Sequence, residues 1–329
     1  MRSKRSLLVM WKEMWIQHLR PSGPPREAPE DIEAVRRCYE TILGHMEEVF
    51  AALRGGKVPE LDQVGQDVCL LLRDLREGDL LLTQVLMERK ASSLEAHSAN
   101  VGILTLKMGL TLGFPEDILI ALGLTALLHD LGMAFLPPKL LEKEKSLSPE
   151  ELRPVREHPY RTSELFRKLL PSELGWLAEV VVQEHERVDG SGYPRGLNGE
   201  EVHELAQVVG AADTFEAMTH ERPYRPRVAA YRALRELIRR RNRDFTSRIV
   251  KALVDSVSIF PVGSLVRLNT GEVCRVVRPN RRHPTRPVLR VLLDDRGEWV
   301  PEEWTVDLEE YPTLYIVDPA VDEEVVERA

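Results

Sequence analysis

His129 and Asp130 close the apolar run Ile118–Leu128, and His97, His158, His185 and Asp213 stand around them at intervals of 27 to 32 residues. A helix that ends in a His-Asp pair sets an imidazole beside a carboxylate where water is scarce. Burying that pair is costly unless it is hydrogen-bonded or holds a cation. Any one of these histidines alone reads more readily as a hydrogen-bonded core residue. The ordered set reads as a metal centre. His97, His129, Asp130 and Asp213 make one complete four-ligand site, and His158 with His185 makes a second that shares Asp130 as a bridge. Imidazole and carboxylate donors suit Fe, Mn, Zn or Ni without choosing among them.

Helices must position these groups. From Ser93 to about Val257 the chain reads as helical almost throughout. His97, Val101, Leu104 and Met108 share one face, which turns His97 inward. Ser148-Pro149-Glu150-Glu151 is a helix start, with a Ser cap, proline at the first position and a capping-box glutamate. That helix meets Pro154 and should bend or stop near His158-Pro159. A helix from about Leu174 to His185 opens into Asp189-Gly190-Ser191-Gly192-Tyr193-Pro194, a loop fixed by its glycines and proline. Another, from about Val202 to His220, carries Asp213.

Before this region, residues 30–54 and 60–90 show helical periodicity on either side of Gly55-Gly56, with Ile32, Val35, Tyr39, Ile42 and Met46 on one face. After Phe260-Pro261 the pattern turns to alternation. Ser264–Leu268 and Glu272–Val277 flank the turn Asn269-Thr270-Gly271, and Val288–Leu293, Thr305–Leu308 and Leu314–Val317 follow as short strands. The expectation is a mainly α protein, a helical bundle with a helical N-terminal prelude and a small C-terminal β module. Its boundaries fall at an arm and linker 1–29, a helical region 30–90, a central domain 91–258 and the β module 259–329.

The 329 residues carry a net charge of −8, with a pI near 5.7, so the molecule is not built to bind duplex nucleic acid. Cys38, Cys69 and Cys274 lie far apart without a CxxC spacing, which fits a reducing cytoplasm. The basic N-terminus has an apolar run broken by Lys12 and Glu13, too short for a signal peptide core or a spanning helix. Its Trp11 and Trp15 fit either a helix packed on its own domain or an amphipathic arm for a membrane surface or partner.

The order His97, His129-Asp130, Asp213 resembles the HD superfamily of metal-dependent phosphohydrolases. The run His185 to Pro194, with Gly192-Tyr193-Pro194 inside it, is similar to the HD-GYP subfamily, as are Arg222-Pro223-Tyr224-Arg225 and Phe260-Pro261-Val262-Gly263. The resemblance covers about residues 90–265 and implies a two- or three-metal site that hydrolyses cyclic di-GMP to pGpG and onward to GMP. It implies that His97, His129, Asp130 and Asp213 hold one metal and that Asp130, His158 and His185 hold the other, with Fe or Mn favoured over Zn and Ni. His129 and Asp130 become the catalytic pair. Arg222 and Arg225 would grip phosphate oxygens, although a solvated helix start in an Arg-rich stretch explains them equally well. Gly192, Tyr193 and Pro194 would shape the mouth. The partners it implies are cyclic di-GMP or another cyclic dinucleotide, signalling proteins and a second copy of the chain.

Four positions depart from that pattern. Glu184 replaces a histidine and, as a carboxylate, can still be a ligand. Met133 stands where a phosphate-stabilising lysine is usual, Glu216 where an aspartate is, and Ser93 where a third-metal glutamate would be, so two metals are expected. The competing reading is a weak or inactive domain that regulates by binding a nucleotide or a partner protein.

Overall fold

The computed structural model describes residues 29–87, 93–141, 143, 145–221, 227–280, 282–301 and 304–319. Arg222 and Arg225, the N-terminal arm with Trp11 and Trp15, and the last ten residues lie outside them.

Twelve α-helices are present among the described residues. They are α1 Pro29–Arg54, α2 Asp62–Glu77, α3 Leu80–Met87, α4 Leu94–Leu112, α5 Glu116–Leu128, α6 Pro138–Leu141, α7 Pro149–Arg156, α8 His158–Leu169, α9 Leu177–Val182, α10 Glu204–Thr219, α11 Ala230–Arg239 and α12 Ser247–Val257. The centre of the molecule is the pair α4 and α5. Every residue from Glu95 to Gly109 in α4 and from Leu119 to Leu128 in α5 is buried, so neither helix has a solvent face. That explains their weak amphipathicity: both are surrounded by other helices. Residues Glu116–Phe135 are long and apolar enough to cross a membrane by composition, and 83% of their most apolar window is buried inside the protein.

One hydrophobic cluster runs from Cys38 in α1 through α2, α3, α4 and α5 to Val257 in α12. The N-terminal helices therefore share a core with the helices that carry the His-Asp series. The helical pattern across 60–90 resolves into α2 and α3, broken at Gly78, whose N–H bonds back to Asp74. The capping box at Ser148 forms, with Ser148 Oγ accepting from Glu151 N and Glu151 Oε2 accepting from Ser148 N. The helix it starts ends at Arg156, and α8 begins at His158.

After α12 the chain forms five antiparallel strands, β1 Leu265–Leu268, β2 Val273–Arg278, β3 Val288–Leu293, β4 Thr305–Asp307 and β5 Ile316–Asp318, in the order β4-β3-β2-β1-β5. The β1–β2 turn closes on Gly271 as the sequence predicts. Val266, Leu268, Cys274, Val276, Leu289 and Val291 give the sheet its own core, and Phe260 packs against it.

Candidate metal centre

Five segments converge on one point, and each brings its ligand-type residue at an end or on one face. His97 lies in the first turn of α4. His129 caps α5, and Asp130 follows it at the start of a 3-10 turn, Leu131–Phe135. His158 opens α8, and Asp213 lies on α10. The fifth segment departs from the sequence reading. The helix expected to reach His185 stops at Val182, because Gln183 leaves the helical conformation (φ −96°, ψ 2°). Glu184 and His185 then turn inward on a non-helical backbone.

Close approach between segments depends on a missing side chain. A Cβ on Gly210 would fall inside hard contact with the Glu184 carbonyl oxygen, so only glycine lets α10 pass this close to the Glu184-His185 segment. On the opposite side Thr162 Oγ1, one turn after His158, accepts from Gly132 N at 2.9 Å. It also lies 2.9 Å from the His129 carbonyl and 3.1 Å from that of His158, and so ties the HD turn to α8.

The side chains form two groups, His97, His129 and Asp213, and His158, Glu184 and His185, with donor atoms within 4.8 Å of one another in each. Asp130 lies between them: its Oδ2 is 3.7 Å from both His97 Nε2 and His129 Nε2, and its Oδ1 is 3.2 Å from His158 Nε2. His97 Nε2 meets Asp213 Oδ1 at 3.1 Å, and His185 Nδ1 lies 3.8 Å from Asp213 Oδ2.

Each ring's orientation is set from behind. His129 Nδ1–H donates to the Ala126 carbonyl at 2.8 Å and His158 Nδ1–H to that of Val155 at 2.6 Å. Both rings therefore turn Nε2 toward the centre with that nitrogen's lone pair free for a ligand bond. His97 Nδ1 meets Glu216 Oε2 at 2.5 Å. Glu216 Oε1 in turn accepts from Asn100, and Asn100 from the Tyr39 hydroxyl. An imidazole braced by a buried carboxylate is the usual arrangement behind a metal-bound histidine.

Burial alone would raise the Asp213 and Asp130 carboxyls. The surrounding histidines outweigh it and hold both below the ordinary carboxylate range. Glu184 goes the other way, raised because burial dominates. His185 is pushed down to about 3 by burial and by neighbouring His158, which itself is raised through Glu184 and Asp130 against its own burial.

These residues fit divalent cations. Glu184 is 1% exposed, yet its Oε2 has no hydrogen-bond partner. An orphaned carboxylate oxygen in the interior costs several kcal/mol unless a cation meets it. His158 Nε2 and His185 Nε2 face each other at 3.3 Å, close enough that a single cation could meet both nitrogens in place of a shared proton. Ser93 is engaged elsewhere, capping α4 by accepting from Ala96 N.

The mouth is built on the loop after His185. A Cβ on Gly192 would lie 2.5 Å from the His185 carbonyl oxygen, so the chain folds back on itself only with glycine there. The Tyr193 ring then stacks on His185, centroids 4.7 Å apart and planes at 22°. Pro194 follows it. Buried Glu186 fastens the far side of the loop by accepting from Arg195 N at 2.7 Å and Leu197 N at 3.0 Å. Sequence reasoning missed Thr162, Asn100 and Glu186. The only signal for Thr162 was its place four residues after His158, on the same helix face.

Residues 82–249 match the HD domain family model, and residues 265–328 match a KOW domain associated with HD domain. A cyclic di-GMP phosphodiesterase of Pseudomonas aeruginosa is 32% identical over 236 residues, 71% of this chain and 56% of that protein. A 3′3′-cGAMP-specific phosphodiesterase of Vibrio cholerae is 34% identical over 149 residues, 45% of this chain and 32% of that one. The chain thus spans from about a third to just over half the length of these curated relatives. Among solved structures, an HDG"Y"P protein from Bdellovibrio bacteriovorus superposes with a TM-score of 0.56 at 18% identity, covering 74% of this chain and 76% of that one, a likeness of fold. With the family model spanning half of its length, the chain belongs to the HD domain family.

Proposed function

We propose that this chain is a metal-dependent phosphodiesterase that opens cyclic dinucleotides, with cyclic di-GMP its principal substrate and pGpG or GMP its products. The observation that carries the reading is the pairing of two donor groups across Asp130, with Glu184 Oε2 left without a partner in a buried site. His97, His129, Asp130 and Asp213 would hold one divalent ion, and Asp130, His158, Glu184 and His185 the other. The donor set is compatible with Fe, Mn, Zn or Ni, and the resemblance to the HD-GYP subfamily favours Fe or Mn. Bound there, two such ions supply Lewis acidity toward phosphate oxygens and acidify the attacking water.

The chain's own residues do the rest. The carbonyls of Ala126 and Val155 and the Glu216 carboxylate fix the tautomers of His129, His158 and His97. Tyr193 covers one face of His185 and narrows access for water. In this reading Gly192, Tyr193 and Pro194 form the mouth, and Arg222 and Arg225 orient the diester with their planar forks. The likeness to phosphodiesterases of both cyclic di-GMP and 3′3′-cGAMP supports a cyclic dinucleotide rather than a mononucleotide. The catalytic unit is residues 91–258, acting in the cytoplasm in second-messenger signalling.

The test is anaerobic incubation of the Fe(II)- or Mn(II)-loaded protein with cyclic di-GMP, the products being separated by chromatography. pGpG or GMP is expected, and a variant carrying His129→Ala and Asp130→Ala should lose both tight metal binding and product. Met133 favours one second reading, a domain that binds the nucleotide without turning it over. An unchanged substrate peak from protein with confirmed metal content would select it.

A further inference from the structure

Beside the mouth of the metal centre a groove of about 640 Å3 runs between the end of α7, the start of α8 and the Tyr193-Pro194 corner. Arg153, Arg156, Glu157, Tyr160, Tyr193 and Pro194 line it. Its charges do not all remain available. Arg153 Nε meets Glu157 at 3.2 Å, and Arg195, on the adjoining loop, is paired with Glu179. Arg156 has no carboxylate partner among the described residues. Its guanidinium stands 5.5 Å over the Tyr193 ring, whose other neighbour is the His185 ring. A stacked series of His185, Tyr193 and Arg156 therefore leads from the metal ligands out into the groove. Tyr160, in the first turn of α8, is 43% exposed.

We infer that this groove receives the half of a cyclic dinucleotide that is not being cleaved, with Arg156 holding the second phosphate and Tyr160 stacking the base beside it. The inference rests on the phosphodiesterase reading above. A cyclic dinucleotide is a dianion whose two phosphates sit across a macrocycle. With one phosphate at the metals, the other requires a cation about one nucleoside away, and Met133 beside the His-Asp pair brings none. Arg156 is the groove's uncompensated cation. Its contact with Tyr193 holds the guanidinium beside the mouth, where its N–H groups can meet a phosphate. A half-exposed tyrosine at the groove wall offers a face on which any base can stack.

Calorimetric titration of the Mn(II)-loaded full chain with cyclic di-GMP, and separately with GMP, tests this. Arg156→Ala should weaken cyclic di-GMP binding about 10- to 100-fold, the worth of one charge-assisted phosphate contact. GMP, which has no second phosphate, should lose far less. Arg156→Lys should recover part of the affinity, and Tyr160→Ala should weaken the dinucleotide by about 5- to 100-fold. If wild type binds cyclic di-GMP and Arg156→Ala binds it equally, or if GMP and the dinucleotide weaken alike, the subsite is wrong while the phosphodiesterase reading stands. Absence of cyclic di-GMP binding by wild type would remove both.

Discussion

Glu184 and Met133, two of the four positions that depart from the HD-GYP pattern, would act in opposite senses in the proposed reaction. Glu184 adds a carboxylate to a site that already holds Asp130 and Asp213, which favours harder, more highly charged cation sets than imidazole would. Met133, half-buried on the turn after the HD pair, offers neither charge nor donor. Met133→Lys is expected to raise kcat/KM for cyclic di-GMP by about 10- to 100-fold, since one well-placed electrostatic contact is worth that much or more. Steady-state rates on the Mn(II)-loaded protein would show it, and an unchanged rate would mean that position 133 does not face the phosphate. Thr162 is a third residue to test. Thr162→Val removes a hydroxyl placed among Gly132, His129 and His158. Stability should fall by about 1–3 kcal/mol in thermal unfolding, and metal affinity by about tenfold. The convergence of the histidines and aspartates was legible in the sequence because those residue types at such intervals are uncommon in a buried core. Thr162 and Asn100 were not, because a threonine or asparagine on a helix carries no mark of what lies opposite it.

At the scale of elements, helix ends rather than helix middles build the site. α5 stops at His129, α8 starts at His158, and α9 stops three residues before His185. Periodicity located these helices well and their limits less well. The apolar run Val180–Val182 does not itself announce that Gln183 must leave the helix for Glu184 to reach the centre. Gly210 is the element-level counterpart, a residue whose lack of a side chain reads as neutral until α10 is seen against the Glu184 backbone. Gly210→Ala should force the two segments apart. The expected signs are a lower unfolding temperature and bound metal well below the wild-type content by elemental analysis, with far-UV helicity retained. Wild-type metal loading in a folded Gly210→Ala protein would show that the second donor group tolerates the shift. The strands were legible nearly to the residue, since alternation and a glycine turn fix a hairpin's register locally.

Across the whole molecule, the core continuous from α1 to α12 makes the N-terminal helices part of the body that holds the metal centre, a union that residue patterns taken one helix at a time did not reveal. That body also buries a titratable group outside the two donor groups. Asp67 on α2 is buried against His45 of α1, and its carboxyl is pushed up to about 6 because burial outweighs the His45 hydrogen bond. A carboxyl raised in the folded state contributes most while it is protonated. Its cost is absent below about pH 4, grows between pH 4 and pH 6, and is full above that, roughly 3 kcal/mol in all. Asp67→Asn should therefore gain stability relative to wild type as pH rises from 4 to 7, measured by urea unfolding at each pH. A difference that stays flat with pH would show that Asp67 remains ionised throughout.

The loop fastened by Glu186 has a consequence for turnover. With Arg195 N and Leu197 N anchored to one buried carboxylate, the mouth is shaped before any ligand arrives. A closed dinucleotide ring is itself stiff, so the two surfaces meet with little freedom left to lose. Opening the ring releases rotors along the backbone of the linear product, which must freeze again to stay bound. Under the proposed activity, the same rigidity would favour capture of the cyclic form and disfavour retention of the linear product.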